Sequence, residues 1–400
     1  YQPSRRPGDA WLMRVETQQE LVREVLALHA AGSTAMSERV LRIPAAHYTS
    51  EAHAEREREG WFRGQPHLAA LSGELAEVGD YLSYTVGGVP LVVVRGPDDE
   101  VRAFENVCRH RAAPVARGRG NTARVLTCPF HGWCYDTRSG GLLSQPGSCA
   151  GFASEDGAQL GLRSLACAER DGFVVVDPNR EAGEVDVEGW LAGLGPELQS
   201  NDYAAYLPFR SRVDRWACNW KLLLDTFFES YHVFSLHRES LASDYLGIAG
   251  AAHGFGSHNR LVVPMRSIVE LDEKPVGDWR LHPHAVVQYF VAPDVILSHY
   301  HGVLAMTRFT PLSASETEVT QALLTQGPVG SEKERAALDR RFAFAHAVTA
   351  EEDYPESVRV HESLASGRVE STLIGRNEAG VSLFHRAIAA QLGDAVGTGA

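Results

Sequence analysis

No run of apolar residues in the chain approaches the ~18 that a membrane-spanning helix needs. Nor is there an excess of positive charge, since 38 Lys and Arg stand against 51 Asp and Glu, a formal net charge of −13. The first absence argues against a helical membrane span, the second against a nucleic-acid binder or a polybasic membrane anchor. Cysteine is scarce at six in 400 residues, too few for a disulfide framework at this length, so a reduced, cytoplasmic setting is expected. The opening stretch YQPSRRPGDAWLMRVE has no apolar segment behind its arginines and does not read as a signal peptide. The missing initiator Met points to trimming before Tyr1. No dinucleotide-binding glycine motif is present either: GAAHGFGSH (250–258) has neither the G-x-G-x-x-G spacing nor a preceding strand.

What is there divides into textures. At 400 residues the chain exceeds one small core, and two domains are expected. Residues 17–31 (TQQELVREVLALHAA) predict a helix, with Thr17 and Glu20 as a capping box, Leu21, Val25 and Leu28 on one face, and Gly32 as the stop. Residues 1–40 are expected to be an extension that docks on a neighbouring molecule. Residues 41–80 are expected to be lead-in helices packing on the later part of the chain. Between 81 and 178, short β-branched runs (YLSYTV, PLVVVRG, VRAFENV, RVLTCPF, GFVVVDP) alternate with Gly, Pro and Asp, the pattern of a compact β module. From 179 to 400 the pattern is α+β. WACNWKLLLDTFFESYHVFSLH (216–237) predicts a buried helix running into a loop. AVVQYFVAP, VILSHYH, LAMTRFTP and EVTQALLTQG predict an antiparallel sheet. SEKERAALDRRFAFAHAVTAEED and GVSLFHRAIAAQLG predict two further helices.

Four of the six cysteines fall between 108 and 149, and two of them belong to CRHRAAPVARGRGNTARVLTCPFHGW: Cys108-x-His110, seventeen residues, then Cys128-x-x-His131. Three readings compete: ordinary core residues, a structural Cys2His2 zinc site, and a Rieske [2Fe–2S] centre, in which two histidines replace two cysteines on one iron. The alternating order suits the third, because each short loop then gives a thiolate to one iron and an imidazole to the other. Downstream, His232 and His237 stand five apart, with Glu229 three before the first. The plain reading is an aromatic-rich buried helix with incidental histidines. The alternative is two members of a 2-His-1-carboxylate triad for non-heme iron, which requires the helix to end between them.

CRHR followed by CPFHGWCYD resembles the signature of Rieske non-heme iron oxygenases, specifically the catalytic α subunit of the aromatic-ring-hydroxylating and quaternary-amine oxygenase superfamily. The resemblance covers roughly 40–400 and is weakest over 240–340. It implies a small all-β Rieske domain over 81–178 and a catalytic domain over 179–400 whose antiparallel sheet is covered by helices, helix-grip or START-like. It implies Cys108 and Cys128 on one iron, His110 and His131 on the other. Cys134, Cys149, Cys167 and Cys218 are left as structural thiols.

The stretch NWKLLLDTFFESYHVFSLH is similar to the family's iron-binding motif and implies His232 and His237 as ligands of a mononuclear Fe(II). The third ligand in the family is an aspartate far downstream, which TAEEDYPESVR (349–359) matches with Asp353, ahead of Glu352 and Glu356. Glu229 matches the acid that bridges an iron histidine to the cluster histidine of a neighbouring chain in a head-to-tail homotrimer, with His131 on the other side. Asp225 is either a supporting partner or a plain buried acid. The implied activity is that of a terminal oxygenase acting with O2 on a small organic substrate, with electrons from a separate NAD(P)H-dependent reductase or ferredoxin. A glutamate rather than an aspartate at 229 draws the expectation toward monooxygenation, demethylation or hydroxylation. The alternative is a cis-dihydroxylating ring dioxygenase, and a remoter one a Rieske electron carrier alone. Phe227, Phe228, Tyr231 and Phe234 are either a cation cage or core; Arg210, Arg212 and Arg215 either hold a carboxylate or are solvated.

Overall fold

In the computed structural model, described over residues 13–147, 151–152, 154–155, 157–300, 302–394 and 397–398, the chain forms two compact units. One comprises Arg58–Trp190 with Tyr203–Tyr206, the other the remainder. Cys149 lies outside the described residues. Among the described residues no helix is long and apolar enough to cross a membrane.

The smaller unit is built on a seven-stranded sheet in the order His67–Leu71, Phe173–Glu181, Ser164–Arg170, Val101–Glu105, Val89–Arg95, Asp80–Val86 and Arg119–Asn121. A second, three-stranded sheet holds Val125–Thr127, Cys134–Asp136 and Leu142–Ser144. The apolar run PLVVVRG does not alternate because both of its faces are covered. Val92 and Val94 pack with Phe104, Cys108, Cys128, Trp133 and Tyr135, whereas Leu91 and Val93 pack with Ala69, Leu75, Val174 and Val176. The sheet therefore takes a strand from His67–Leu71, upstream of the expected start at 81, and residues 41–80 are not all lead-in helices. That strand is buried at every position and carries no alternation to mark it in sequence.

The larger unit holds a second seven-stranded sheet, in the order Tyr206–Trp216, Glu316–Gln326, Val303–Ser313, Val295–Tyr300, Ala285–Val291, His258–Pro264 and Ala251–Phe255. The five pairs from Glu316–Gln326 onward are antiparallel. GAAHGFGSH lies in the last hairpin, where Gly256 takes φ +61 to make the tight turn. The helices Glu332–Ala347, Tyr354–Ala365 and Ala379–Leu392 complete the unit, with Leu41–Pro44 pairing Ser371–Ile374.

The first helix runs Val15–Ala30 and begins without a side-chain cap, so the Thr17–Glu20 capping box is not made. Gln18 acts at that end instead: its amide donates to the Met13 carbonyl and its oxygen accepts the Leu281 N–H. Gly32 does close the helix, at φ +58. Leu21, Val22 and Val25 are buried within this unit, next to Arg266–Leu271 and Ala251–Phe255. The helix thus packs one face on its own chain.

Candidate metal centres

In the smaller unit, Cys108 and Cys128 sit in two loops with the same backbone bonding. Cys108 N–H reaches the Ala113 carbonyl at 2.9 Å and its carbonyl accepts from Ala112 at 2.9 Å. Cys128 N–H reaches the Trp133 carbonyl at 2.8 Å and its carbonyl accepts from Gly132 at 3.0 Å. Ala112 (φ +57) and Gly132 (φ +71) occupy corresponding places, four residues after each cysteine, in the left-handed conformation that turns each loop back on itself. Both thiols are buried, while His131 is exposed. The imidazoles of His110 and His131 lie 4.4 Å apart between centroids at 67°. Trp133 stacks on His110 at 4.9 Å and 7°, and Phe130, 57% exposed, lies on His131 at 3.9 Å.

These residues fit a [2Fe–2S] cluster better than a single ion. His110 Nδ1 is shut off from water and unpartnered, and burial, then His131, push its pKa down, leaving a bare lone pair. The four potential ligand atoms do not converge within 4.8 Å as those around one zinc would. Burial, then the neighbouring Cys108, raise the Cys128 pKa, so charge on the sulfurs calls for cations beside them. One partner was not foreseen: the Tyr135 hydroxyl lies 3.1 Å from Cys108 Sγ and accepts the Arg109 N–H at 3.0 Å. Burial first, then Cys108, raise its pKa, so the phenol keeps its proton to donate to sulfur. Cys134 is partly buried and donates to the Gly132 carbonyl at 3.2 Å. Burial pushes Cys167, and in the other unit Cys218, up to about 12, as inert thiols.

In the larger unit the segment 216–237, expected as a buried helix running into a loop, holds only a short helix before that loop. The strand Tyr206–Trp216 occupies its beginning, and Asn219 caps a short helix, Trp220–Asp225, by accepting from Lys221 N–H at 3.1 Å. A loop follows, and Val233–Leu236 forms one further turn. The break is what lets two histidines five apart meet. His232 Nε2 and His237 Nε2 come within 3.2 Å, and Asp353 Oδ1 stands 3.0 Å from His237 Nε2 and 3.5 Å from His232 Nε2. The third residue is placed by another irregularity. Between Glu332–Ala347 and Tyr354–Ala365 the backbone winds as a π-helix, Val348–Asp353, a form often found at functional sites.

The hydrogen bonds behind this triad decide what it can hold. His232 Nδ1 is held by Glu229 Oε1, and His237 Nδ1 by Glu352 Oε2 at 2.8 Å. Ser240 donates to the same Glu352 oxygen at 2.8 Å. With a carboxylate on each Nδ1–H, both Nε2 atoms present lone pairs to one another and to the carboxylate oxygen. Asp353 Oδ1 is buried and makes no well-formed hydrogen bond. Two nitrogen lone pairs and an anionic oxygen at these separations can hold one cation between them, and the set matches the 2-His-1-carboxylate face of non-heme iron. Burial pulls the His237 pKa down, but Asp353 and then Glu352 outweigh it and hold it above the usual range, a sign of the negative potential there.

Glu352, expected only as a rival for Asp353, therefore stands behind His237, while Glu356 is exposed and pairs with Arg359. Asp225 is half-buried and accepts from His385 Nε2 at 2.9 Å. Glu229 also uses Oε2 to accept the Tyr231 and His232 N–H groups. A cavity opens at the triad, lined by Phe227, Leu241, Tyr245, Val263, Val286 and Gln288 among others. Of the four aromatics in the motif only Phe227 lines it. Phe228 packs on Phe290 and Phe384 in the core, Phe234 is half-buried off the cavity, and Tyr231 is 62% exposed. Tyr245, which no local pattern marked, takes the second aromatic place. Arg210, Arg212 and Arg215 are exposed and pair with Asp339, Asp214 and Glu318, away from the cavity.

Two protein-family profiles match the chain: the Rieske [2Fe-2S] domain over residues 65–153 and the ring hydroxylating alpha subunit (catalytic domain) over residues 202–394. The carnitine monooxygenase oxygenase subunit of Escherichia coli (strain K12) is 34% identical over 202 residues, 49% of this chain and 52% of that protein. The chloroplastic choline monooxygenase of Beta vulgaris is 30% identical over 283 residues, 69% and 60% of the two chains. The chain thus spans about half the length of the curated relatives it matches. Among solved structures, a quaternary ammonium Rieske monooxygenase bound to an inhibitor superposes with a TM-score of 0.74 over 93% of this chain and 98% of that one, at 21% identity, a likeness of fold.

Proposed function

Because the chain belongs to the family of Rieske-type, ring-hydroxylating non-heme iron oxygenase α subunits, we propose that it is the terminal oxygenase of a multicomponent system that monooxygenates, and so demethylates, a small quaternary ammonium or methylated amine. The observation that carries this reading is the convergence of His232, His237 and Asp353 at the end of a largely apolar cavity. Cys108 and Cys128 would hold one iron of the cluster, His110 and His131 the other, and the triad the mononuclear iron. Bound there, the metals supply one-electron transfer and the activation of O2. The chain's own residues set the conditions. Glu229 and Glu352 fix the tautomers of His232 and His237, and the apolar walls keep water from the target bond.

The cavity supports a cationic substrate over an anionic one. Among the described residues lining it there is no Lys or Arg to meet a carboxylate. Phe227 and Tyr245 offer aromatic faces of the kind that attract quaternary ammonium groups, and the relatives named for carnitine and choline point the same way.

Electrons would come from a separate NAD(P)H-dependent reductase or ferredoxin, and the working form would be a head-to-tail trimer in which Glu229 meets His131 of the partner subunit. Exposed aromatics support this contact at both of its ends: Phe130 lies on His131, and Tyr231 follows Glu229 by two residues. Tyr and Phe are enriched in the cores of protein contacts.

The test is turnover with a surrogate reductase, NADH and 18O2 on a panel of methylated amines, carboxylated and methoxylated arenes and simple arenes, with products read by mass. Formaldehyde with the demethylated amine, or a hydroxylated product carrying a single labelled atom, is expected. A ring product carrying two labelled atoms would instead make it a dihydroxylating dioxygenase.

A further inference from the structure

Away from the triad at the cavity, His47, His53 and Asp394 also bring ligand atoms within 4.8 Å of one another. The short helices Ala46–Thr49 and Glu51–Glu57 carry the histidines. Asp394 follows Gly393, whose φ of +69 ends the helix Ala379–Leu392. The two imidazoles stack at 4.1 Å and 15°.

Behind His53 stands Glu57, 1% exposed, with Oε1 at 3.1 Å from His53 Nε2, a little off the line of an ideal hydrogen bond. A carboxylate at one ring nitrogen keeps the proton there and bares the other, the arrangement that orients metal-binding histidines. The bared His53 Nδ1 faces Asp394 Oδ2 across 4.0 Å. Asp394 Oδ1 takes the Arg56 guanidinium at 2.6 Å, whereas Oδ2 is closed to water and accepts no hydrogen bond. Two lone-pair atoms facing each other in a buried gap call for a cation between them. Metal–ligand distances of about 2.0–2.2 Å on each side span such a gap. The third group stands beside them: the His47 imidazole stacks on that of His53 and brings a ring nitrogen within 4.8 Å of the other two ligand atoms.

We propose that His47, His53 and Asp394 form a second metal site, for a divalent cation of the zinc class, with Glu57 as its positioning residue. The site pins two segments far apart in sequence, residues 46–57 and the end of the last helix. Glu57 also bonds Trp220 Nε1 at 2.9 Å and meets Lys221 Nζ at 2.5 Å. The bound ion therefore braces the helix that leads into His232. Lys221 and Arg56 balance the two carboxylates, so the imidazoles rather than net charge select the ion.

The test uses the iron-loaded full chain, equilibrated with zinc sulfate, dialysed, and counted for zinc and iron by mass spectrometry. One zinc per chain is expected with iron unchanged, together with a zinc-dependent rise in melting temperature. Asp394→Asn and His47→Gln, close in size to the originals, are expected to lose both the zinc and the rise. Three results overturn the site: wild type keeping no zinc, zinc gained only as iron is lost, or either folded variant keeping a full equivalent.

Discussion

Glu229 and Glu352 act at the same distance from the chemistry but on different histidines, and their loss has different signatures. Glu229→Gln keeps the volume and removes the charge that would face the neighbouring chain in the proposed trimer. Both metals are expected to stay while steady-state turnover falls at least ~100-fold, the upper range for groups behind a ligand; iron content and NADH-coupled product formation measured together would show it. Glu352→Ala frees the His237 ring and leaves Ser240 without its acceptor. Mononuclear iron affinity is expected to drop about 10–100-fold with the visible spectrum of the cluster unchanged, which iron titration of the depleted protein would read. Tyr135→Phe removes one hydrogen bond to a cluster sulfur. A net bond of ~1 kcal/mol corresponds to roughly 40 mV at one electron, so the midpoint potential should fall by about that much in a spectroelectrochemical titration.

At the scale of elements, the helix Trp220–Asp225 hangs on a buried ion pair, Lys221 with Glu57, both 1% exposed. Burial works against the Glu57 charge, but Lys221, His53 and Trp220 outweigh it and bring its pKa to about 2. Burial also pulls the Lys221 ammonium below its usual range. Since the folded Glu57 value lies below the unfolded one near ~4.3, the pair's stabilisation is present above that pH and is lost as pH falls toward about 2. Lys221→Met strands a buried carboxylate and should cost ~3 kcal/mol at pH 7. In that variant Glu57 folds better protonated, so the gap to wild type should narrow between pH 7 and 4; melting curves across that range decide it.

The elements also show what was legible in advance. The two Cys/His pairs and the histidine pair stood out because a metal site needs several unlike side chains, here at short spacing, and spacing is visible in a sequence. Asp353 was proposed by likeness of pattern, and only the fold turns it toward the two histidines while Glu352 goes behind His237 and Glu356 to the surface. The strand His67–Leu71 and the hairpin carrying GAAHGFGSH were missed, the first because a strand buried on both faces does not alternate. Tyr245 and His385 reach their sites from residues distant in sequence, and no local signal announces such a meeting.

For the whole molecule, the reading turns on contacts between copies. A trimer should run at three times the 43.7 kDa chain mass in light-scattering chromatography. Placing a charge where an aromatic is expected to be buried, as in Tyr231→Lys, should shift the population toward smaller species and reduce turnover together. A variant that stays trimeric and fully active would remove Tyr231 from the interface.

The six residues Val348–Asp353 carry a further implication for what such a site is made of. An α-helix advances about 100° per residue, so the wider turn there acts as an inserted count that resets everything after it. Losing one residue from this stretch would leave the composition almost intact and the helix more regular. It would also swing the triad's carboxylate about a quarter-turn away from the two histidines. The number of residues in this turn is therefore as much a part of the site as Asp353 and Glu352 themselves, and deleting one of the others is expected to cost the triad its metal even though every ligand is still in the sequence.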